Sequence, residues 1–216
     1  EYLTKEGNTI FDLKDYWKQN NNYPDYKQLN AYDFIFCCEP TYTGIGKVIR
    51  EEFIQTSNDY SPIAIAEAYA LDRLVLYKKI IVPALADGKC IIADRAVSTS
   101  LCYQHLEPAN LSLDEIAALP GNDFALKYPP EHLILLSINP EIAIKRLTDR
   151  QNKQDNAIFE KLDFLKKAAA AFASEEYQNF FTKLGTNVLY LPAEDGIDIM
   201  KVKATELLSK ILNKTQ

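Results

Sequence analysis

Asp94 and Arg95 close the run Lys89-Cys90-Ile91-Ile92-Ala93, and Ser98, Thr99, Ser100, Tyr103 and Gln104 follow at once. A short apolar, β-branched run that ends in charge reads as a buried parallel strand. In open α/β sheets, ligands sit just beyond the carboxyl ends of such strands. An acid able to hold a metal through water, beside a guanidinium able to grip phosphate, points to phosphoryl transfer. The same pair also reads as a structural ion pair capping a strand. The segment alone admits both.

Three further core strands read from the sequence at 34–38, 133–138 and 188–191, with the first run at 90–93. Helical patterns lie between and after them: 61–86, with Asp72-Arg73 as its one charged pair, then 140–150 opening on Pro140, 161–184 and 199–212. Strands alternating with helices predict a parallel α/β sheet with right-handed crossovers. The stretch 15–32, rich in Asn, Tyr and Gln, breaks this rhythm and reads as a surface insertion, either a substrate cover or a plain loop. Residues 106–130 read as a loop holding a short helix from Ser112, with Glu115 completing a capping box.

The chain has 216 residues, enough for one domain with a sizeable core, which sets the expectation of a single domain over 1–216. A net charge of -6 argues against a nucleic-acid partner. No apolar run approaches the roughly 18 residues that span a bilayer, so no membrane partner is expected. Cys37, Cys38, Cys90 and Cys102 show no ligand spacing. Neighbours on a strand point to opposite faces, so free thiols in a reducing cytoplasm are expected.

A phosphoryl-transfer reading asks for a glycine-rich loop to cradle the donor phosphates. None of the seven glycines sits in a G-x-x-x-x-G-K-[ST] arrangement, and residues 1–8 read as the end of a helix capped by Gly7. The expectation is that a strand and its phosphate loop lie upstream of Glu1; a natural chain without a donor site is the alternative.

Four blocks in order resemble the thymidylate kinase family: Glu39-Pro40-Thr41 through Arg50, Tyr69-Ala70-Leu71-Asp72-Arg73, Asp94-Arg95 through Tyr103-Gln104, and 133–146. The resemblance covers about 33–212. It implies a three-layer, P-loop NTPase-like parallel sheet with helices on both faces, and transfer of the ATP γ-phosphoryl group to dTMP. It further implies that Tyr69 stacks on thymine with Pro40 as a wall, and that Arg73 donates to the base's carbonyl edge. By the same resemblance Arg95 and Arg50 grip the monophosphate, Asp94 holds Mg²⁺ through waters, and Glu39 assists the metal or a sugar hydroxyl. Ser100, Tyr103 and Gln104 would line the sugar and base, and Arg146 and Arg150 would face ATP. A lid over 147–160 would use Arg150 and Lys153, and the enzyme would be a cytoplasmic homodimer through the 61–86 helix.

From the residues alone, other readings stand beside these. Tyr69 also fits a helix interface, and Arg50 a solvated face. Arg73, in an apolar run, demands a buried partner if it has no ligand, and Asp72 points to another side of the helix. The chain departs from the family pattern at Ala96, where an aromatic is usual, at Cys38, where an arginine often stands, and at Asn156, near a position that carries the transition-state arginine in some members. The alternatives are a kinase of a related deoxynucleoside or pyrimidine monophosphate, and a non-catalytic nucleotide-binding or scaffold protein.

Overall fold

Strand β2, Phe34–Cys38, is the central strand of its sheet, paired on both edges, and its residues are almost all buried. Its partners are β1, Ile10–Asp12, and β3, Cys90–Asp94, both parallel to it. Register pairs Ile10 with Phe34, Phe34 with Cys90, and Cys38 with Asp94. The carboxyl ends of β2 and β3 therefore finish side by side. A second sheet pairs β4, His132–Ser137, with β5, Asn187–Pro192, again in parallel. The structure, a computed structural model, describes residues 1–55, 58–106, 111–149 and 161–213. They gather into two compact units, one of Glu1–Tyr128 and one that starts at Pro129. The architecture is α/β with parallel sheets, as alternation of strands and helices predicted.

In the first unit the helices are α1, Tyr2–Lys5; α2, Leu13–Gln19; α3, Gly44–Val48; α4, Pro62–Leu76, continued through a wide turn at Tyr77–Ile81 into α5, Val82–Ala86; α6, Val97–Tyr103; α7, Leu113–Ala117; and α8, Pro120–Leu126. The second unit holds α9, Pro140–Thr148; α10, Leu162–Phe172; α11, Glu175–Lys183; and α12, Ile197–Leu212. Ser61 starts α4 by accepting from the Ala64 amide, and Pro62 takes the first position, where its missing N–H costs nothing. The Ser112–Glu115 capping box forms as expected. The 61–86 helix is present as predicted, while 161–184 is two helices rather than one, because Ser174 caps a second start.

The stretch 15–32 is not a surface loop. Asp12 caps α2 through the Lys14 amide at 2.8 Å, and Leu13 and Trp17, four apart on one helical face, are buried in the core with Leu29. Capping by Asp25 and Gln28 holds the short turn Tyr26–Leu29 that carries Leu29 inward. The strand β1 just before it had no sequence signal beyond Ile10-Phe11. The 106–130 region is also more regular than a loop with one helix. Pro120 starts a second helix, α8, and Gly121 lets it press against α4.

That contact is very close. A Cβ on Gly121 would lie 1.7 Å from the Ala70 carbonyl oxygen and 2.5 Å from its carbon. Both atoms are backbone, so the helices must separate. Gly121→Ala is expected to lower unfolding free energy by about 1–3 kcal/mol, measured by chemical denaturation; an unchanged midpoint would show that α8 docks elsewhere.

Candidate active site

The chemistry-bearing residues of the first unit converge at the carboxyl ends of β2 and β3. The Glu39 amide donates to the Asp94 carbonyl at 3.1 Å, so the two chain segments leave the sheet together. One turns through the cis Glu39-Pro40 bond into Thr41 and α3. The other turns at Arg95, whose φ of 69° puts a non-glycine residue in the left-handed region. Such conformations cost about 1–3 kcal/mol and gather at functional sites. Asp94 and Arg95 are both exposed there.

Asp72 and Arg73 are buried side by side on α4 and do different work. Asp72 accepts from the Thr41 amide at 2.8 Å and the Thr41 hydroxyl at 2.7 Å, fixing the turn after Pro40. Burial pushes the Asp72 carboxyl above its usual range, and Thr41's two donors pull it back. Gly46 closes the same turn: a Cβ there would meet Thr41 backbone at 2.4 Å.

Arg73 has the buried partners its apolar setting requires. Its Nε and Nη2 donate to one Glu39 oxygen at 2.8 and 2.5 Å, its Nη2 also donates to the Ser100 hydroxyl at 3.0 Å, and its Nη1 donates to the Asn122 side-chain oxygen. A guanidinium has five N–H donors, so among the described residues one Nη1 proton stays uncommitted. Burial pushes the Glu39 carboxyl above the ordinary carboxylate range, with Arg73 pulling the other way. Glu39 is thus tied to Arg73 through one oxygen.

Arg50 does not lie on a merely solvated face. Its Nε donates to the Pro40 carbonyl at 3.0 Å and the Thr41 carbonyl at 3.2 Å, its Nη2 donates to Pro40 at 2.5 Å, and its guanidinium carbon stands 3.9 Å from the Tyr42 ring centroid. Lys14 of α2 reaches the same ring at 5.6 Å. Tyr103 stands 5.6 Å from the Arg95 guanidinium and hydrogen-bonds it.

Tyr69 joins these groups. Burial pushes its hydroxyl up to about 12, against the pull of the Arg95, Arg50 and Arg73 guanidinium groups. One half-buried phenol ring therefore has three cations within electrostatic reach. Gln104 is 2% exposed, and its side-chain oxygen meets no donor among the described residues. Among the described residues no group of three or more His, Cys, Asp or Glu side chains gathers to hold a metal. The exposed Asp94 carboxylate suits a cation held through water and substrate oxygens, which is how Mg²⁺, reluctant to dehydrate, is usually bound.

Arg146 lies in the second unit, where it donates to the carbonyls of Ala193 at 2.7 Å, Glu194 at 2.5 Å and Asp195 at 3.0 Å, tying α9 to the segment before α12. Arg150, Lys153 and the rest of 150–160 fall outside the described residues. The sequence reading missed Asn122, Tyr42 and Lys14. Asn122 sits in a Pro-Gly-Asn run that looks like turn punctuation, and nothing local marks it as an arginine's partner.

The thymidylate kinase family model matches residues 24–203. The thymidylate kinase of Clostridium novyi (strain NT) is 30% identical over 168 residues, covering 75% of this chain and 80% of its own. That of Caldicellulosiruptor saccharolyticus is 27% identical over 189 residues, covering 88% and 87%. That of Lactobacillus helveticus is 36% identical over 143 residues, covering 64% and 66%. The matched span contains every residue from Glu39 to Gln104 that meets at the ends of β2 and β3. With the family's sequence pattern and this clustering in agreement, the chain belongs to the thymidylate kinase family.

Proposed function

We propose that the chain binds dTMP at the carboxyl ends of β2 and β3 and accepts the γ-phosphoryl group of ATP onto it, giving dTDP and ADP. The thymine ring stacks on Tyr69 beside Pro40, and the one uncommitted Arg73 Nη1 proton meets a base carbonyl. Ser100 holds Arg73 rather than touching the sugar first, while Tyr103 and Gln104 line the pocket. The Gln104 oxygen, buried without a donor among the described residues, fits a group that a ligand satisfies.

The acceptor phosphate lies against Arg95 and the Nη1 end of Arg50, whose Nε edge is fixed by Pro40 and Thr41. One of its oxygens attacks the γ-phosphorus as the bond to the β,γ-bridging oxygen breaks, in line. No protein nucleophile takes part, so the protein contributes positioning and charge neutralisation. Asp94 would hold Mg²⁺ through waters, and that ion would supply neutralisation of phosphate charge. Arg146 by its remaining N–H donors, and Arg150 and Lys153 of the lid, would serve the donor side. Four cysteines carried as thiols outside any disulfide fit a reducing, cytoplasmic location. No helix among the described residues is long and apolar enough to cross a membrane. A homodimer through the 61–86 helix fits its exposed Ile63, Leu71 and Leu85.

The reading rests on one observation: Arg73 of α4 hydrogen-bonds both Glu39 after β2 and Ser100 after β3, which gathers the blocks into one site. Its test is titration of dTMP and thymidine into the protein and its Arg95→Ala variant. A charged hydrogen-bonded contact contributes about 1.5–3 kcal/mol, so dTMP affinity should drop roughly 10- to 100-fold while thymidine affinity holds. Equal losses for both ligands would remove Arg95 from the phosphate.

A further inference from the structure

The geometry points to Asn122 as a positioning residue that sets the base specificity of the acceptor site. This rests on the dTMP reading above. Asn122 is 1% exposed and comes from α8, outside the blocks that carry the nucleotide contacts. Its amide orientation follows from its partners. The side-chain nitrogen donates to the Ile116 carbonyl at 2.7 Å, and a carbonyl can only accept, so the side-chain oxygen must face Arg73. The close Gly121–Ala70 contact holds α8 at this position, one residue before Asn122 and three before Arg73.

The consequence lies in which proton Arg73 has left. Glu39 takes the Nε edge and one Nη2 proton, Ser100 the other, and Asn122 one of the two on Nη1. A guanidinium is planar, so fixing three nitrogens fixes where the last proton aims. Asn122 takes the other proton of that nitrogen and is its one partner among the described residues, so it anchors the Nη1 end of the guanidinium and with it the aim of the last proton. A donor held in one direction donates to a base carbonyl and repels an amino group at the same place. Thymine carries a carbonyl where cytosine carries an amino group, so discrimination between the two depends on Asn122. Without it, Nη1 keeps two loose protons in a buried site and the guanidinium pivots on Glu39.

The test is calorimetric titration of dTMP and dCMP into wild type, Asn122→Ala and Asn122→Asp. Wild type should prefer dTMP. Asn122→Ala should lose about tenfold of that preference, the scale of one hydrogen bond to a charged group. Asn122→Asp, which keeps an oxygen facing Arg73, should retain the preference even if its melting temperature falls. A purely structural asparagine would lower stability, or both affinities alike, and leave their ratio unmoved. The ratio is taken on bound protein and does not depend on the folded fraction. An unchanged ratio in Asn122→Ala overturns the assignment, as does loss of the ratio in Asn122→Asp. Failure of wild type to bind dTMP overturns the acceptor reading and this inference with it, so the two failures are separable.

Discussion

Arg73→Ala should be the most damaging single substitution in the first unit, lowering stability at neutral pH by about 3–5 kcal/mol, the cost of stranding one partner of a buried ion pair. Glu39 is 5% exposed and Arg73 1% exposed, so water cannot replace the lost guanidinium. Asn122 and Ser100 would lose their donor in the same step. The pH dependence identifies the cause. Burial already raises the Glu39 carboxyl above its ordinary value while Arg73 pulls it down, so removing Arg73 raises it further. A carboxyl whose folded pKa lies above its unfolded pKa, near 4.3, binds its proton more tightly in the folded state. Stability therefore falls as pH rises from about 4.3 through the folded pKa, and the deficit of Arg73→Ala should shrink as the buffer is taken from pH 7 toward mild acid. Adding Glu39→Gln should remove most of both the deficit and its pH dependence. Urea denaturation of the three proteins at several pH values measures this. A deficit below 1 kcal/mol, flat with pH, would show that Glu39 is not a buried charge. The same Arg73→Ala protein, where folded, should bind dTMP more weakly by about 1–3 kcal/mol.

The ion pair also marks where sequence reasoning stops. That Arg73 sits in an apolar helical run is readable, and so is its need for a partner. That the partner is Glu39, 34 positions away, depends on Glu39 leaving β2 beside Arg95, a fact of strand pairing. The strands β2 to β5 were legible because each centres on a run of apolar residues bounded by turn signals. Strand β1 was not, since Ile10–Asp12 offers two apolar residues and an acid. Helix α2 left a faint trace: Asp12 as a cap, then Leu13 and Trp17 at a spacing of four. The polar residues on its outer face, Lys14, Asp15 and Lys18, masked it. In α8 the error ran the other way. Pro120 and Gly121 read as loop punctuation, whereas the proline is a helix start and the glycine a packing contact. The cluster of Tyr69, Arg73, Asp94 and Arg95 was legible because its residue types carry chemistry. Asn122 and Tyr42, which hold those groups in place, carry none by themselves.

Asp72 is expected to tolerate asparagine and not alanine, and the contrast isolates the Pro40–Thr43 turn from the ion pair next to it. Asp72 presents one oxygen to the Thr41 amide and the other to the Thr41 hydroxyl. That hydroxyl also lies 3.0 Å from the Thr43 carbonyl, so it has a second acceptor for its single proton. In Asp72→Asn the remaining oxygen accepts from the amide, the new NH₂ donates to the hydroxyl oxygen, and the hydroxyl proton turns to Thr43. The Thr41 groups stay satisfied, the Gly46 amide, which also donates to Asp72, shares the remaining oxygen, and a buried charge disappears. Stability should therefore stay within about 1 kcal/mol of wild type, since satisfied isosteres are nearly neutral. In Asp72→Ala the Thr41 amide is left buried and unpaired, and the turn loses its tie to α4. The expected loss is about 2–4 kcal/mol, combining an unsatisfied donor with a small cavity. Arg50 rests on the Pro40 and Thr41 carbonyls, so a slack turn also moves the arginine proposed to hold the acceptor phosphate. Affinity of Asp72→Ala for dTMP should fall by about tenfold or more, the loss of one charged contact, with thymidine affected less. Equal behaviour of the two variants in melting and in dTMP titration would mean that charge, not hydrogen-bond geometry, is what α4 supplies to the turn.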